Sequence, residues 1–477
     1  MQKNKNVIDG KIQLLHLFHS VSRIEKVKSL LLFSIFILMS FGQFAKVSLV
    51  DFVVGIYLFD IFICLYLFVF LLAKYKNLSS KITTRFSEYR QQALAVSYAY
   101  ASRTPAEVAA HIHAPIGVGG FKRYSNRALK YYIISFSFVV WAVFVTTISF
   151  QYLDNPLKYL ISVSYLLRFC FYSLFGFCVF IDLKKYTKLR QKIKIYLIIN
   201  FLLVSIFGFI QLAMFNDFSK LDSSLLWDPH KNRLAGSFFD PNFTGALLVI
   251  LLTYIFFLFI KSKKNKHILF VILLIGFLAI LLTFSRSAWL MLAIVVFVLG
   301  LFKYRYLLVF SVIVAFSAYY FVPRVQTRLT SVTDQSDSFH FRILSWSEAI
   351  EVSNKKLLSG WGFNTYRYVK QDLGYTSYEA PLGNRSGAGS DSSILQIMVN
   401  TGIIGVSIFL FAYLYLIFDL FTSFRSEKSL FGLFLMSIVI GLLVNAQFIN
   451  SMLYPNILIT MNVLIGIFYN ASEISRP

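Results

Sequence analysis

Long apolar runs alternate with short polar joints from Ser29 to Tyr469. A helix needs about 20 apolar residues to cross a bilayer, and about twelve segments of the chain qualify as spans by that measure. They lie around Ser29–Gly42 and at Leu49–Ala73, Tyr131–Phe150, Tyr159–Ile181, Ile195–Phe215, Phe243–Ile260, Ile268–Phe284, Ala288–Phe302, Tyr306–Val322, Ser393–Phe418, Leu430–Asn445 and Met452–Tyr469. The pattern predicts an all-α integral membrane protein in three parts. Residues 1–322 hold about nine N-terminal transmembrane helices with a basic polar loop at 74–130. Residues 323–392 form a large polar loop that contains an amphipathic helix, and residues 393–477 hold about three C-terminal helices.

Charge orients these spans. With the N-terminus inside, the joints Asp182–Lys194, Lys261–His267, Phe302–Arg305 and Phe421–Lys428 share its side, and each carries Lys or Arg. The short joints on the other side carry only Lys46, Lys158 and Arg286. Cytoplasmic loops hold the excess of Lys and Arg. Both termini and the 74–130 loop are therefore expected in the cytoplasm, and the 323–392 loop outside. The segment Met1–Lys28 is basic and only weakly apolar, which reads as retained on the inner side rather than cleaved.

Composition fits the same class. The chain of 477 residues is 57% hydrophobic and 14% charged, where a soluble domain is about a quarter charged. The net charge of +24 could point to nucleic acid, but Lys and Arg cluster at the ends of spans, where anionic lipid attracts them. No nucleic-acid partner is expected. Cys64, Cys170 and Cys178 sit in apolar runs, with neither a disulfide framework nor a metal spacing. Within 74–130, Thr104-Pro105-Ala106-Glu107 matches a capping box with proline at the first helical position. It predicts an interfacial helix on the cytoplasmic surface. The Gly-Val-Gly-Gly run there lacks the Gly-Lys-Ser/Thr of a phosphate loop. His111 and His113 do not share a helix face, and no role is assigned to them.

Three polar segments on the expected outer side carry arginine next to an apolar span: RLAGSFFDPN from Arg233, TFSRSAW around Arg286, and the stretch Phe339–Gly405 with Arg342. Guanidinium matches phosphate oxygens with two parallel donors, which lysine cannot do. Charges at a membrane boundary are functional candidates by default. Three arginines facing one compartment suit a lipid-linked diphosphate; the alternative is pairing with lipid headgroups or with a local carboxylate such as Asp240. Phe339, Ile343, Trp346 and Ile350 recur at helical spacing and predict an amphipathic helix with Arg342 near its start. Gly360 and Gly362 allow a tight turn after it, and the glycine- and serine-rich remainder reads as a loop over a site. Asp391 opens the next span. It is either a helix cap or a general base that takes the proton of an attacking sugar hydroxyl, with His340 and Glu379 as weaker rivals. Trp346, Trp361, Tyr366 and Tyr375 could stack on sugar faces or anchor the loop at the interface.

The motifs RLAGSFFDPNFTGALL, LLTFSRSAWL, FRILSWSEAI…SGWGFNTY and DSSILQIMVNTGIIGVSIF, in that order from Arg233 to Phe409, resemble the O-antigen polymerase and O-antigen ligase superfamily. The resemblance implies a GT-C-like, metal-independent membrane glycosyltransferase of lipopolysaccharide biosynthesis in the bacterial inner membrane, without a cofactor. Its donor and acceptor would be oligosaccharides on undecaprenyl diphosphate, with the arginines on the diphosphate. Ligases of this family carry His-Asn-x-x-Leu where this chain has Asp391-Ser392-Ser393-Ile394-Leu395, which favours the polymerase branch (Wzy) and leaves the catalytic base to be found. A polymerase of this kind has room for a chain-length regulator protein as partner. Two other readings stay open: a ligase that moves glycan onto lipid A–core, and a transporter of polysaccharide or lipid-linked sugar, as the span count allows. The two halves of the chain are unlike each other, which weighs against the transporter.

Overall fold

Runs of Leu, Ile, Phe and Val with no water to bond must satisfy their backbone internally, which in lipid favours helices. The computed structural model describes residues 23–49, 54–76, 124–153, 155–220, 230–330, 338–375 and 389–471. The apolar runs within them are helical, except where the second one opens with a strand. Residues 1–22, most of the 74–130 loop with its helix expected at Thr104, and Glu379 lie outside the described residues. The helices are α1 (23–40), α2 (Leu58–Lys76), α3 (Tyr124–Ile148), α4 (Pro156–Lys185), α5 (Thr187–Met214), α6 (Pro241–Lys261), α7 (Lys266–Leu282) and α8 (Arg286–Phe302). There follow α9 (Arg305–Phe321), α10 (Pro323–Thr330), α11 (Ser338–Asn354), α12 (Tyr366–Asp372), α13 (Ser393–Glu427), α14 (Leu430–Asn445) and α15 (Pro455–Ala471).

Among the described residues, six helices are long and apolar enough to cross a membrane: α2, most of α3, α4, most of α5, α6 and α13. The number rises to seven if α9 and α10, bent by 98° at Val322, are counted as one span. The helices α7, α8, α14 and α15 are apolar but shorter. This is a multi-pass membrane protein. The core lies where α6, α14 and α15 meet α4 and α8. Helix α9 has no buried residue and stands at the rim.

The structure amends the sequence reading at two joints. Between α1 and α2 the chain forms an antiparallel hairpin, β1 (Lys46–Leu49) with β2 (Val54–Tyr57), so the fold is not purely helical and the second span starts at Leu58 rather than Leu49. Val54 and Ile56 favour a strand, Asp60 accepts the Tyr57 N–H at 2.9 Å, and Gly55 leaves the space that the Lys46 side chain fills. The segment Asp182–Lys194 is not a loop: α4 and α5 run through it, parted only at Tyr186.

The helices alternate between two ends of the bundle. At one end Lys28 Nζ donates to both Asp182 oxygens at 2.7 Å, and Tyr66 donates to the same carboxylate at 2.6 Å. Nearby in the same layer, Arg127 pairs with Asp419 and Glu427 at 3.4 Å. The opposite end gathers the segments expected outside. Ser237 donates to Ser40 O at 2.6 Å, Asn456 to Met39 O at 2.8 Å, and the Ser393 N–H to Ala446 O at 2.8 Å.

Helix α13 is broken at Gly402, where φ is +66° and ψ is −175°. The segment Leu357–Gly362 fills the break. Trp361 and Gly362 donate to Val399 O and Asn400 O at 2.9 Å, and Ile403 donates to Leu357 O at 2.8 Å. Trp141 Nε1 donates to Thr401 O at 2.8 Å. Backbone groups freed by the break thus find partners in the loop, as a membrane-depth break requires. The turn expected at Gly360 and Gly362 is present, with positive φ at both, and it is this docking that uses it.

Candidate functional site

The joint at 230–240 and the α7–α8 turn are laced together. The Leu234 N–H donates to Leu282 O at 2.9 Å, and Arg233 Nε donates to Thr283 O at 3.0 Å. Asn242, in the first turn of α6, ties the two: its Oδ1 accepts from Arg233 Nη2 at 3.3 Å and from Ser285 Oγ at 2.8 Å. Arg233 Nη1 faces His230 Nδ1 at 3.3 Å. Asp240 caps α6 by accepting from the Asn242 and Phe243 N–H groups at 2.6 and 3.3 Å. Ser285 caps α8, which fixes Arg286 at its first position. The partial positive charge of that helix end adds to the guanidinium there.

Two further arginines arrive on α10. Arg286 Nη1 donates to the backbone oxygen of Arg328 at 3.3 Å. Arg324 donates to Lys231 O, and its Cζ lies 4.2 Å from the centre of the Phe284 ring.

Helix α11 carries Arg342. Its buried residues are Ala349, Val352 and Ser353, while Ile343 and Ile350 of the predicted apolar stripe are exposed. The face turned to the bundle therefore runs through Arg342, Ser345 and Ala349, which share one side of a helix. Trp346 packs at its edge against Phe448, with ring centres 5.9 Å apart. Ser345 accepts the Asp391 N–H at 3.1 Å, which brings Asp391 within one helical turn of Arg342. The cap of α13 is Ser392, whose hydroxyl accepts the Leu395 N–H at 3.3 Å. Asp391 lies one residue before it, so the capping alternative passes to Ser392.

Electrostatics show how close the charges are. Burial, then Arg328, Arg342 and Arg324, push Arg233 down to about 9, against the opposing pull of Asp240. Burial raises the Asp240 carboxyl, while Arg233 and Arg342 among others draw it back. Burial also raises the Tyr366 hydroxyl, and Glu348 and Asp391 add to the effect. Arg233, Arg286, Arg342 and Asp391 thus share one end of the bundle. They are joined there by Arg324 and Arg328, whose spacing of four residues puts them on one helix face but whose place beside Arg233 only the fold reveals.

The aromatic residues are used differently. Tyr366 is fully buried among Ala349, Val352, Val369 and Val399, so its ring has no face open to a sugar. Trp361 donates to Val352 O at 3.0 Å and lies 4.1 Å from Lys356 Nζ. Tyr375 donates to Glu351 at 2.7 Å. Lys370 pairs with Glu348. These contacts hold α11, α12 and α13 together. A charged pair inside the bundle also went unnoticed in the sequence: Arg168, on α4, meets Asp60 at 3.3 Å, and Tyr172 donates to the same carboxylate.

The fold defines a multi-pass membrane protein, with an arginine cluster at the end of the bundle expected outside. Residues 270–410 match the family model described as O-antigen ligase, less than a third of the chain. The match supports the O-antigen ligase and polymerase superfamily that the motifs resemble, and it does not separate the two branches. It covers Arg286, Arg324, Arg328, Arg342 and Asp391 but not Arg233. No curated protein matches the chain.

Proposed function

We propose that the chain is an O-antigen polymerase of the bacterial inner membrane. It would take a growing glycan from one undecaprenyl diphosphate carrier and join it to the terminal sugar of a repeat unit on another, at the periplasmic face, with both termini in the cytoplasm. The observation that carries the reading is the convergence of separate arginine-bearing segments around Arg233, beside the start of α13 where Asp391 stands. In the reaction the acceptor hydroxyl oxygen bonds to the anomeric carbon as the bond from that carbon to the diphosphate oxygen breaks. Asp391 takes the hydroxyl proton, and the electron pair leaves with the lipid diphosphate. Negative charge grows on that leaving group, so fixed guanidinium groups bind the transition state more tightly than the ground state. The Asp-Ser opening of α13, in place of the ligases' histidine, favours the polymerase; the ligase reaction on lipid A–core would use the same leaving-group site.

The test is the length ladder of surface glycan in cells carrying single substitutions. Arg233→Ala, Arg286→Ala and Arg342→Ala should each remove long glycan while the protein stays in the membrane. Lysine should restore part of it, since a point charge keeps the attraction but loses the paired donors. Wild-type ladders from all three alanine variants would overturn the assignment.

A further inference from the structure

The joint between α14 and α15 closes over the start of α13, beside Asp391. The Ser393 N–H donates to Ala446 O at 2.8 Å, and the Ser393 hydroxyl donates to Ile449 O at 3.2 Å while it accepts the Met452 N–H at 3.1 Å. Trp346 follows the Ser345 that accepts the Asp391 N–H, and it packs against Phe448 of the joint. The other side of α14 meets α8. A Cβ built on Gly441 would lie 3.0 Å from Val295 Cγ2 and 3.1 Å from Met291 O. Helix α14 ends at the outer end, where α8 begins. Asn445, one turn beyond Gly441 on the same face, is therefore level with Ser287, one turn before Met291. It stands between the start of α8, which carries Arg286, and the start of α13, which follows Asp391. Asn445 is fully buried, yet neither its Nδ2 nor its Oδ1 has a hydrogen-bond partner among the described residues. The same holds for Asn450 Oδ1, for the hydroxyl of the fully buried Ser451 and for the indole N–H of Trp346. Asn450 is half-exposed, and a Cβ built on Gly389 would lie 3.7 Å from its Nδ2, so the rim of the joint touches the segment that leads into Asp391. Unpaired buried polar groups cost stability, and native folds keep few of them. Here they gather on one joint and on the helix that packs against it. An amide both donates and accepts, a hydroxyl does the same, and an indole adds an apolar face to its N–H. None of these groups is charged. The set suits the hydroxyls and ring face of a sugar rather than a phosphate.

We propose that Asn445, Asn450, Ser451 and Trp346 form the subsite for the acceptor sugar and hold the hydroxyl that attacks toward Asp391. The proposal rests on the reading of Asp391 as the base of glycosyl transfer, and the test keeps the two apart.

Full-length protein in nanodiscs of phosphatidylcholine is titrated with two probes. One is the oligosaccharide freed by mild acid from the lipid-linked repeat units of the host cells, which lacks the diphosphate; its binding is followed by saturation-transfer NMR. The other is farnesyl diphosphate, which lacks the sugar, followed by calorimetry. Asn445→Leu keeps the side-chain volume and removes both unpaired atoms. It should raise the melting temperature and yet weaken oligosaccharide binding about tenfold or more, as the loss of hydrogen bonds from a buried amide does. Ser451→Ala should move both readouts in the same directions by less. Both variants should bind farnesyl diphosphate as the wild type does. A merely structural role cannot give a more stable protein with weaker sugar binding. Unchanged oligosaccharide affinity in both variants overturns the inference, and so does a lower melting temperature in both with the two probes weakened alike. If the wild type binds farnesyl diphosphate but not the oligosaccharide, the inference fails and the leaving-group reading stands. If it binds neither, both fail.

Discussion

Gly402→Ala separates the docked, broken form of α13 from an ordinary helix, because the two predict opposite signs. In a regular helix, alanine in place of glycine stabilises by about 1 kcal/mol. Here the backbone has φ +66° and ψ −175°, a region almost confined to glycine that costs other residues about 1–3 kcal/mol. An added Cβ would also lie 2.1 Å from Leu358 O and 2.6 Å from Ser359 N. Both are backbone atoms and cannot rotate away. Relief requires Leu357–Gly362 to withdraw, which loses some of the bonds from Trp361, Gly362 and Ile403, each worth about 1 kcal/mol net. The expected destabilisation is about 3–5 kcal/mol. It should appear as a lower melting temperature of the purified protein, followed by tryptophan fluorescence, since Trp141 and Trp361 both touch the break. Trypsin should also cut faster after the exposed Lys355. Gly466, in α15, is the control: a Cβ there meets only ordinary contacts, the nearest at 3.5 Å, so alanine should be neutral or stabilising. Equal or greater stability of Gly402→Ala, with unchanged cleavage at Lys355, would refute the docked break.

Asp391→Asn should keep lipid-diphosphate binding and stop glycan transfer, because the amide cannot take the proton; normal polymer would falsify the base assignment. Ser392→Ala should instead cost about 1 kcal/mol as a lost cap and leave transfer measurable, and the opposite order of effects would exchange the two roles. In a background without Cys64, Cys170 and Cys178, a cysteine at the exposed His340 should react with an impermeant reagent from the periplasm and one at Lys428 should not; the reverse labelling would invert the bundle.

The positions of the helices were legible because lipid leaves the chain little choice, and the apolar runs mark them directly. Arg233, Arg286 and Arg342 were legible as exceptions to the charge pattern. What brings them together was not. Asn242 holds Arg233 and the α7–α8 turn through a single oxygen, and no periodicity announces such a contact. The Arg324 and Arg328 pair was visible at helical spacing, but the apolar face of the helix at Pro323–Thr330, Val325 and Leu329, is too short to announce a helix in a polar loop. The apolar stripe of α11 does not mark the face that meets the bundle: Ile343 and Ile350 are exposed, and small residues, Ser345, Ala349 and Ser353, allow the close approach to α13. Charges inside the spans find partners far along the chain, Lys28 with Asp182 and Asp60 with Arg168, and sequence alone does not show which carboxylate meets which cation. The break in α13 was hidden because Gly402 reads as an ordinary small residue in a span until the loop that fills it is in place.

Glycosyl transfer between lipid-linked repeat units with release of the lipid diphosphate can be followed with the purified protein in liposomes, supplied with a synthetic oligosaccharide repeat unit on undecaprenyl diphosphate, with products resolved by mass spectrometry. The wild type should yield lipid-linked dimers and longer oligomers and one free undecaprenyl diphosphate for each bond formed, and Arg286→Ala neither product. Transfer only when lipid A–core is added would make the protein a ligase, and movement of the intact repeat unit across the bilayer without any new glycosidic bond would make it a transporter.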